Sequence, residues 1–263
     1  MEIELVCLAN SRLREGRSIA GLRTYGGGWI RLVGRNGPLE RKVYTMEEGR
    51  EVGLLDVVLA QVIGTQSVNN QPENHLATGP QPGIMGMVRD TIFGSKRWKS
   101  TGQVEPANAP GVLDSLNRQG PGLFGSQRDR EDLSEFDRRS AMNSLTLVEP
   151  DSPVWEVISS FCGQGNERQI RARFNLDGAD YSLPVTDPAW EERCDWLGFG
   201  FHDNSKIEVK ETDRVLLTVS LDEPTFATNP AGECFKSVVG VILLPGAKVG
   251  GTKTQAEPEV ERK

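Results

Sequence analysis

The chain has 263 residues, 37% of them hydrophobic, and a net charge of −7, which suits one large domain or two of ordinary size. Its mean hydropathy is −0.41, and no apolar run approaches the roughly 18 residues of a membrane-spanning helix, so we predict no membrane segment. Residues 1–4 are acidic at two positions and lead directly into an apolar stretch, unlike a signal peptide, so we predict a cytoplasmic protein.

Four cysteines and two histidines are scattered along the chain. The cysteines form no CxxC pair, and no zinc-binding spacing combines them with His75 or His202. A glycine-rich phosphate loop followed by lysine is also absent. We therefore expect neither a metal ion nor a cofactor.

The first 33 residues predict an antiparallel meander of three strands. Residues 3–9 are mostly apolar and predict a buried strand, which residues 10–12 (Asn, Ser, Arg) are expected to end. Residues 17–23 and 29–33 predict the next two strands, with a glycine-containing turn before each. Because the connections are too short for a crossover helix, the strands must pair antiparallel.

The third strand carries the first candidate binding residues. Period-two alternation places Trp29 and Arg31 on one face, and Ile30 and Leu32 on the other. Two interpretations are open. Trp29 is packed and Arg31 extends along the surface, or the two form a stacking surface like those that hold single-stranded nucleic acid.

The middle of the chain changes in composition. Residues 54–63 are the strongest apolar run of the first half and predict a core strand. From residue 79 to about 127, glycine, proline, asparagine and serine dominate, which indicates an insertion between strands. This insertion holds a second tryptophan among cations, at Lys96, Arg97, Trp98 and Lys99.

The end of the first unit is predicted from three neighbouring segments. Residues 128–139 have mixed charges and predict a short surface helix. Residues 144–148 predict a strand that closes the first unit. Two prolines within 149–153 then mark a boundary.

The second half begins with the clearest hairpin. Residues 169–176 alternate strictly between apolar and polar side chains, and Asp177-Gly178 is a strong turn signal. Pro184 lacks a backbone donor, so the return strand is predicted to lie at the edge of its sheet.

A helix and two further strands follow. Asp187 is a suitable N-cap and Pro188 a suitable first helical residue, so we predict a helix from 188 to about 197. Residues 214–221 and 234–244 predict strands, and residues 247–263 predict a disordered tail.

Charge is distributed unevenly along the chain. Residues 10–43 hold eight basic and two acidic side chains, whereas residues 150–263 hold 12 basic and 19 acidic ones. An acidic protein with one basic region can still have a nucleic-acid groove in that region.

Several short stretches, in this order, resemble the bacterial dual OB-containing domain family. They are Cys7-Leu8-Ala9-Asn10-Ser11-Arg12, Ile19-Ala20-Gly21, Gly28-Trp29-Ile30-Arg31, Leu55-Asp56-Val57-Val58, Gln71-Pro72-Glu73-Asn74-His75, Ser144-Leu145, Val185-Thr186-Asp187-Pro188, Ser220-Leu221-Asp222-Glu223-Pro224 and Cys234-Phe235-Lys236. Leu13 and Asp222 depart from a lysine and a glycine of the family pattern. The resemblance implies two OB-like barrels in tandem, in proteins of bacterial conflict, defence or mobile-element loci.

The predicted fold class is therefore mainly β, with two tandem OB-like small β-barrels, short helices and a long insertion in the first barrel. The first unit spans 1–149, with the insertion at about 79–140. The second spans 150–246, with its short helix at about 188–197.

Three functions are compatible with the sequence. The first is a non-catalytic nucleic-acid-binding accessory module, for single-stranded or structured DNA or RNA. Its contacts would be Arg12, Arg17, Trp29, Arg31, Lys96, Arg97, Trp98 and Lys99. The second is a protein-binding adaptor of a defence complex, with a partner from the same operon.

The third function is an enzyme that uses His75 as a general base, with Asn10 and Arg12 as polar partners. Glu73 and Asn74 complete this possible polar site. The alternative is that these polar side chains hold turns by bonding to the backbone.

Overall fold

The computed structural model describes residues 1–13, 16–68, 70–79, 97–104, 122–133, 143–162, 165–224 and 232–246, and all structural statements refer to these. The strands are β1 (Glu2–Leu13), β2 (Gly16–Arg23), β3 (Trp29–Val33), β4 (Asp56–Thr65), β5 (Asn74–Ala77), β6 (Lys99–Gln103), β7 (Arg130–Asp132), β8 (Leu145–Val148), β9 (Asp151–Cys162), β10 (Gly165–Leu176), β11 (Ala179–Pro184), β12 (Gly200–His202), β13 (Arg214–Leu221) and β14 (Glu233–Leu244). The helices are α1 (Arg41–Tyr44) and α2 (Pro188–Arg193), and a 3-10 helix covers Asn204–Ile207.

The first half forms a closed five-stranded barrel with the order β1-β2-β3-β5-β4. It closes because the long strand β1 pairs with two neighbours, so that Leu5 lies opposite both Arg23 of β2 and Val58 of β4. Strands β3 and β5 are parallel, and the other pairs are antiparallel. Its core includes Ile30 and Leu32, which share one face of β3 as predicted.

The second half contains two four-stranded sheets, β11-β10-β9-β12 and β7-β14-β13-β8. A parallel bridge between Val185, the residue after β11, and Val238 joins the two sheets. Trp155 and Trp190 pack in the core between the sheets, with ring centroids 4.4 Å apart.

The local predictions that rested on strict patterns are confirmed. The meander β1-β2-β3 is antiparallel. Asp177 and Gly178 form the two-residue turn between β10 and β11, both with positive φ, and β11 lies at a sheet edge. Asp187 caps α2 by accepting the backbone N–H groups of Ala189 and Trp190.

The expected break after residue 9 is wrong, because β1 continues to Leu13. The side chains of Asn10 and Ser11 bond to distant chain segments instead of their own backbone. Asn10 Nδ2 donates to the Val52 carbonyl at 2.8 Å, and Ser11 Oγ lies 2.8 Å from Thr186 Oγ1. Only a bulge between Cys7 and Ala9 interrupts the pairing.

The strand predicted to close the first unit is also misplaced. Strand β8 pairs with β13 in the second half, with Val148 opposite Leu217. It is separated from β9 by Glu149 and Pro150, and Pro150 has no backbone donor. The unit boundaries 1–149 and 150–246 stay a prediction, but β8 itself lies in a sheet of the second half.

Two predicted helices differ from the structure. Residues 130–132 form β7, because β14 offers them backbone hydrogen-bond partners. The helix predicted at 128–139 is therefore wrong at these residues. Residues 134–142, together with most of the predicted insertion and tail, lie outside the described residues. Helix α2 ends at Arg193 instead of about 197, with Cys194 as its C-cap.

The two halves share an apolar junction. Leu8 of β1 packs with Leu147, Leu216 and Ile242 of the second half. The Leu8 carbonyl accepts a hydrogen bond of 2.6 Å from Thr218 Oγ1. None of the described helices has the length and apolar character needed to cross a membrane.

Close backbone approach at this junction requires glycine at position 240. A Cβ atom there would lie 2.3 Å from the Leu8 carbonyl oxygen, whereas a Cβ atom at Gly64 of β4 would meet no atom within 4 Å. We expect Gly240→Ala to lower the free energy of unfolding by about 1–3 kcal/mol, and Gly64→Ala to change it by less than about 1 kcal/mol. Urea denaturation of both variants tests this, and equal stability would contradict the close approach.

Candidate functional site

Arg31, a predicted nucleic-acid contact, is buried in a polar network. Its Nη2 atom lies 3.2 Å from Glu73 Oε1, and also donates to Ser144 Oγ at 2.7 Å and Ser220 Oγ at 3.0 Å. Glu73 Oε2 accepts the backbone N–H of Ser144. Since Ser144 and Ser220 belong to the second half, the network spans the junction, and the prediction that Arg31 binds a ligand is wrong.

Neither predicted tryptophan offers a free ring to solvent. Trp29 is partly buried and packs against the two apolar clusters that join the halves. Trp98 is fully buried in the first barrel, where its Nε1 atom donates to the Thr78 carbonyl at 3.2 Å. The face of β3 that was predicted to stack bases is thus an internal interface, and the prediction for Trp98 is wrong.

Part of the basic excess in residues 10–43 is neutralised by the fold. Arg12 Nε lies 3.2 Å from Glu191 Oε2, and Arg17 Nη2 lies 4.0 Å from Glu51 Oε2. Glu51 also accepts Arg41 Nε at 2.9 Å. These carboxylates lie far from the arginines in sequence, so a local count of charges overestimates the positive potential.

The predicted cations around Trp98 have different surroundings. Lys99 pairs with Glu47 at 3.3 Å, and Arg97 is exposed. Lys96 lies outside the described residues. With Trp98 buried between them, these cations do not flank an exposed ring.

The predicted polar site around His75 does not assemble. His75 Nε2 accepts a hydrogen bond of 2.9 Å from Arg23 Nη2, which can only donate, and His75 Nδ1 lies 2.8 Å from the Glu73 carbonyl oxygen, to which it can only donate. Strands β2 and β3 lie between Asn10 and His75, and the side chains of both residues bond to other groups. Asn74 Nδ2 donates to Gln71 Oε1. The geometry therefore gives no support to His75 as a general base.

Three of the predicted residues do meet, in a cleft between the halves. Asn10, Arg12 and Arg17 line it from the first barrel, and Arg168 and Glu191 line it from the second half. The cleft has a volume of about 650 Å³, within the range of small-molecule sites.

Three exposed aromatic side chains that were not predicted as functional lie close together in sequence; we call Trp196, Phe199 and Phe201 the aromatic segment. These side chains are 66%, 70% and 62% exposed. Phe201 lies opposite Glu156 in the β12–β9 pair. The signal in the sequence was three aromatic residues within six positions at the end of the predicted helix and just after it.

An arginine partly covers this segment. The guanidinium of Arg173 lies 5.0 Å from the centroid of the Phe201 ring, and its Nε donates to Glu156 Oε2 at 2.7 Å. Trp196 and Phe199 remain open to solvent at the adjoining sheet edge, where β12 is the last strand within the described part of the sheet. Large exposed aromatic side chains at a sheet edge are typical of a binding surface.

The sequence matches the dual OB-containing domain family over residues 3–84 and 89–241. The chain belongs to this family. The match, with the closed barrel and the mainly β architecture, confirms the predicted tandem OB-like fold class. Searches of curated proteins and of solved structures found no match. A dual OB-containing chain is a module that binds nucleic acid or protein.

The buried pair at the junction of the dual OB chain gives a stability test. Arg31→Met would leave the Glu73 carboxylate buried without a counterion, so we expect a loss of about 3–5 kcal/mol in the free energy of unfolding. Arg41→Met breaks an exposed pair and is expected to cost less than about 1 kcal/mol. Equal losses in denaturant unfolding would show that the junction does not depend on the pair.

Asp187 gives a pH test. Burial raises its pKa from 3.8 to about 6, despite the backbone N–H donors of Val241, Ala189 and Trp190. A carboxyl that binds its proton more tightly in the folded state stabilises the fold at low pH, and this stabilisation is lost as the pH rises through about 6.

We therefore expect on the order of 3 kcal/mol of stability to be lost between pH 4 and 7 through Asp187. Asp187→Asn keeps an acceptor for the helix and should flatten this part of the pH profile in urea unfolding. Asp195→Asn, at an exposed carboxylate, is the matched control. An unchanged slope in Asp187→Asn would contradict the assignment.

Proposed function

We propose that the protein is a non-catalytic protein-binding module, whose contact surface is the aromatic segment of the second OB-like unit. The observation that carries this proposal is the exposure of Trp196, Phe199 and Phe201 beside the edge strand β12. The centres of protein interfaces are enriched in aromatic residues, and a few such side chains supply most of the binding energy.

The charges around this surface favour a protein partner over a polyanion. Residues 188–213 hold seven acidic and three basic side chains, a net charge of −4. Nucleic-acid binding depends on Lys and Arg that neutralise phosphates. A partner that presents an apolar patch bordered by Lys or Arg would instead complement this surface.

The buried face of β3 supports the same choice. Arg31 and Trp29, the pair that favoured nucleic acid in the sequence, are used to join the two halves. The first barrel therefore has no exposed stacking surface on β3, and the nucleic-acid hypothesis chiefly depended on that surface.

Single-stranded nucleic acid is the second candidate. The Arg173 guanidinium over the Phe201 ring is a pairing that also suits base stacking and phosphate contact. A role as an accessory subunit of a bacterial defence or mobile-element system, with a partner from the same operon, stays a prediction from the family resemblance.

We expect the variant Trp196→Ser/Phe199→Ser/Phe201→Ser to lose binding to a purified operon partner by at least about 100-fold, because exposed aromatic side chains of this size act as hot spots. Tyr25→Ser/Ile63→Ser removes two comparably exposed apolar side chains elsewhere and should bind as the wild type does. Titration calorimetry with the full chain measures both.

A parallel titration separates the two candidates. Labelled single-stranded DNA, single-stranded RNA and duplex DNA are each titrated at about 50 and 200 mM salt. Oligonucleotide binding that weakens with salt and disappears in the aromatic variant would overturn the protein proposal in favour of nucleic acid. Partner binding that survives in the aromatic variant would place the interface elsewhere.

A further inference from the structure

We propose that the cleft between the two OB-like halves binds a small molecule in which an oxyanion, a carboxylate or a phosphate, stands beside an N–H or O–H donor. The cleft has a volume of about 650 Å³ and is walled by the end of β1, the start of β2, β10 and α2. Apolar atoms of Val52, Leu54, Ile170 and Pro188 form part of its lining. The aromatic segment does not line it, so this inference is independent of the proposed function.

Asn10 supplies an unused acceptor in the cleft. The side chain is more than nine-tenths buried, and its Nδ2 atom donates to the Val52 carbonyl at 2.8 Å. Because a carbonyl can only accept, this bond fixes the orientation of the amide, and Oδ1 is the free atom. Asn10 Oδ1 has no hydrogen-bond partner among the described residues, so a ligand donor would satisfy it.

Arg17 supplies the complementary donor. Its buried Nε atom has no acceptor within the described chain, and its Nη2 atom lies only within 4.0 Å of Glu51 Oε2. A ligand oxygen that accepted the Nε–H group would satisfy this unused donor of Arg17. An unused acceptor and an unused donor in one cleft call for a ligand that carries both groups.

The unused Nε–H of Arg17 selects an anionic oxygen, because a guanidinium binds a charged acceptor more strongly than a neutral one. Arg12 and Arg17 lie directly opposite each other in the β1–β2 pair, and like charges at such positions repel. Arg12 Nε is paired with Glu191 Oε2 at 3.2 Å, whereas Arg168 Nη2 donates to the Cys194 and Leu197 carbonyls. Arg17 is therefore the arginine with a donor left for a ligand oxygen.

Acids outnumber arginines in the lining of the cleft. Asp187 accepts three backbone N–H groups, and Glu51 is shared with Arg41. Glu192 and Asp195 are exposed, where solvent screens them. A ligand that offered only negative charge would be repelled, so its oxyanion at Arg17 must be accompanied by a donor.

The test uses three probes on the full chain: inorganic phosphate, a mixture of the twenty L-amino acids, and a mixture of the four ribonucleoside 5′-monophosphates. The last two pair an anion with donors and distinguish a carboxylate from a phosphate. We expect one mixture to raise the melting temperature by about 5 °C when its active component is at roughly 100 times the Kd. The active component should then bind with a stoichiometry of one in calorimetry.

Arg12→Gln and Arg17→Gln are expected to weaken this binding at least tenfold, whereas Lys99→Gln, which removes a cation outside the cleft, should not. Arg12 is largely exposed, so its variant should fold normally. The proposal is overturned if no mixture shifts the melting temperature, or if both arginine variants bind like the wild type. If inorganic phosphate raised the melting temperature as much as the mixtures do, the ligand would not need a hydrogen-bond donor, and that part of the proposal would be wrong.

Discussion

The buried contact between Arg31 and Glu73 is the constraint on which the arrangement of the two halves depends. A guanidinium and a carboxylate can be buried together only if each finds enough hydrogen-bond partners. Part of that set comes from the second half, through Ser144 and Ser220. The pair is therefore satisfied only when both halves are in place, and it specifies one alignment between them.

The length of β1 is the second constraint. This strand closes the first barrel by pairing with β2 and β4, and it also carries Leu8 into the junction. Near its end, the Arg12 N–H group donates to the Thr186 carbonyl at 2.7 Å, just before α2. One continuous strand thus sets the barrel, the junction and the edge of the cleft, which explains why the cleft lies between the halves.

Because of these constraints, the candidate binding surfaces do not lie on the predicted face of β3. Ion pairs and the junction occupy part of the basic stretch of the sequence, and the exposed aromatic surface lies in the acidic second half. Two distinct surfaces remain for binding. One is the aromatic segment, suited to a macromolecule, and the other is the cleft with unused groups on Asn10 and Arg17.

Elements with strong local signals were predictable. The alternation in residues 169–176, the Asp177-Gly178 turn and the Asp187-Pro188 helix start each depend on neighbours in sequence, and each appears in the structure. The strand at residues 144–148 was predicted, but its pairing with β13 was not, and neither was the extension of β1, because the partners lie far along the chain or bond through side chains.

The sequence by itself determined that Trp29 and Arg31 share one face of β3 and that Ile30 and Leu32 share the other, because side chains alternate along any strand. Only the tertiary structure decided what covers each face. The first face became an interface, since Glu73, Ser144 and Ser220 come from distant segments that complete the hydrogen bonds of Arg31. Alternation defines two faces of a strand, but only long-range packing decides which of them meets solvent.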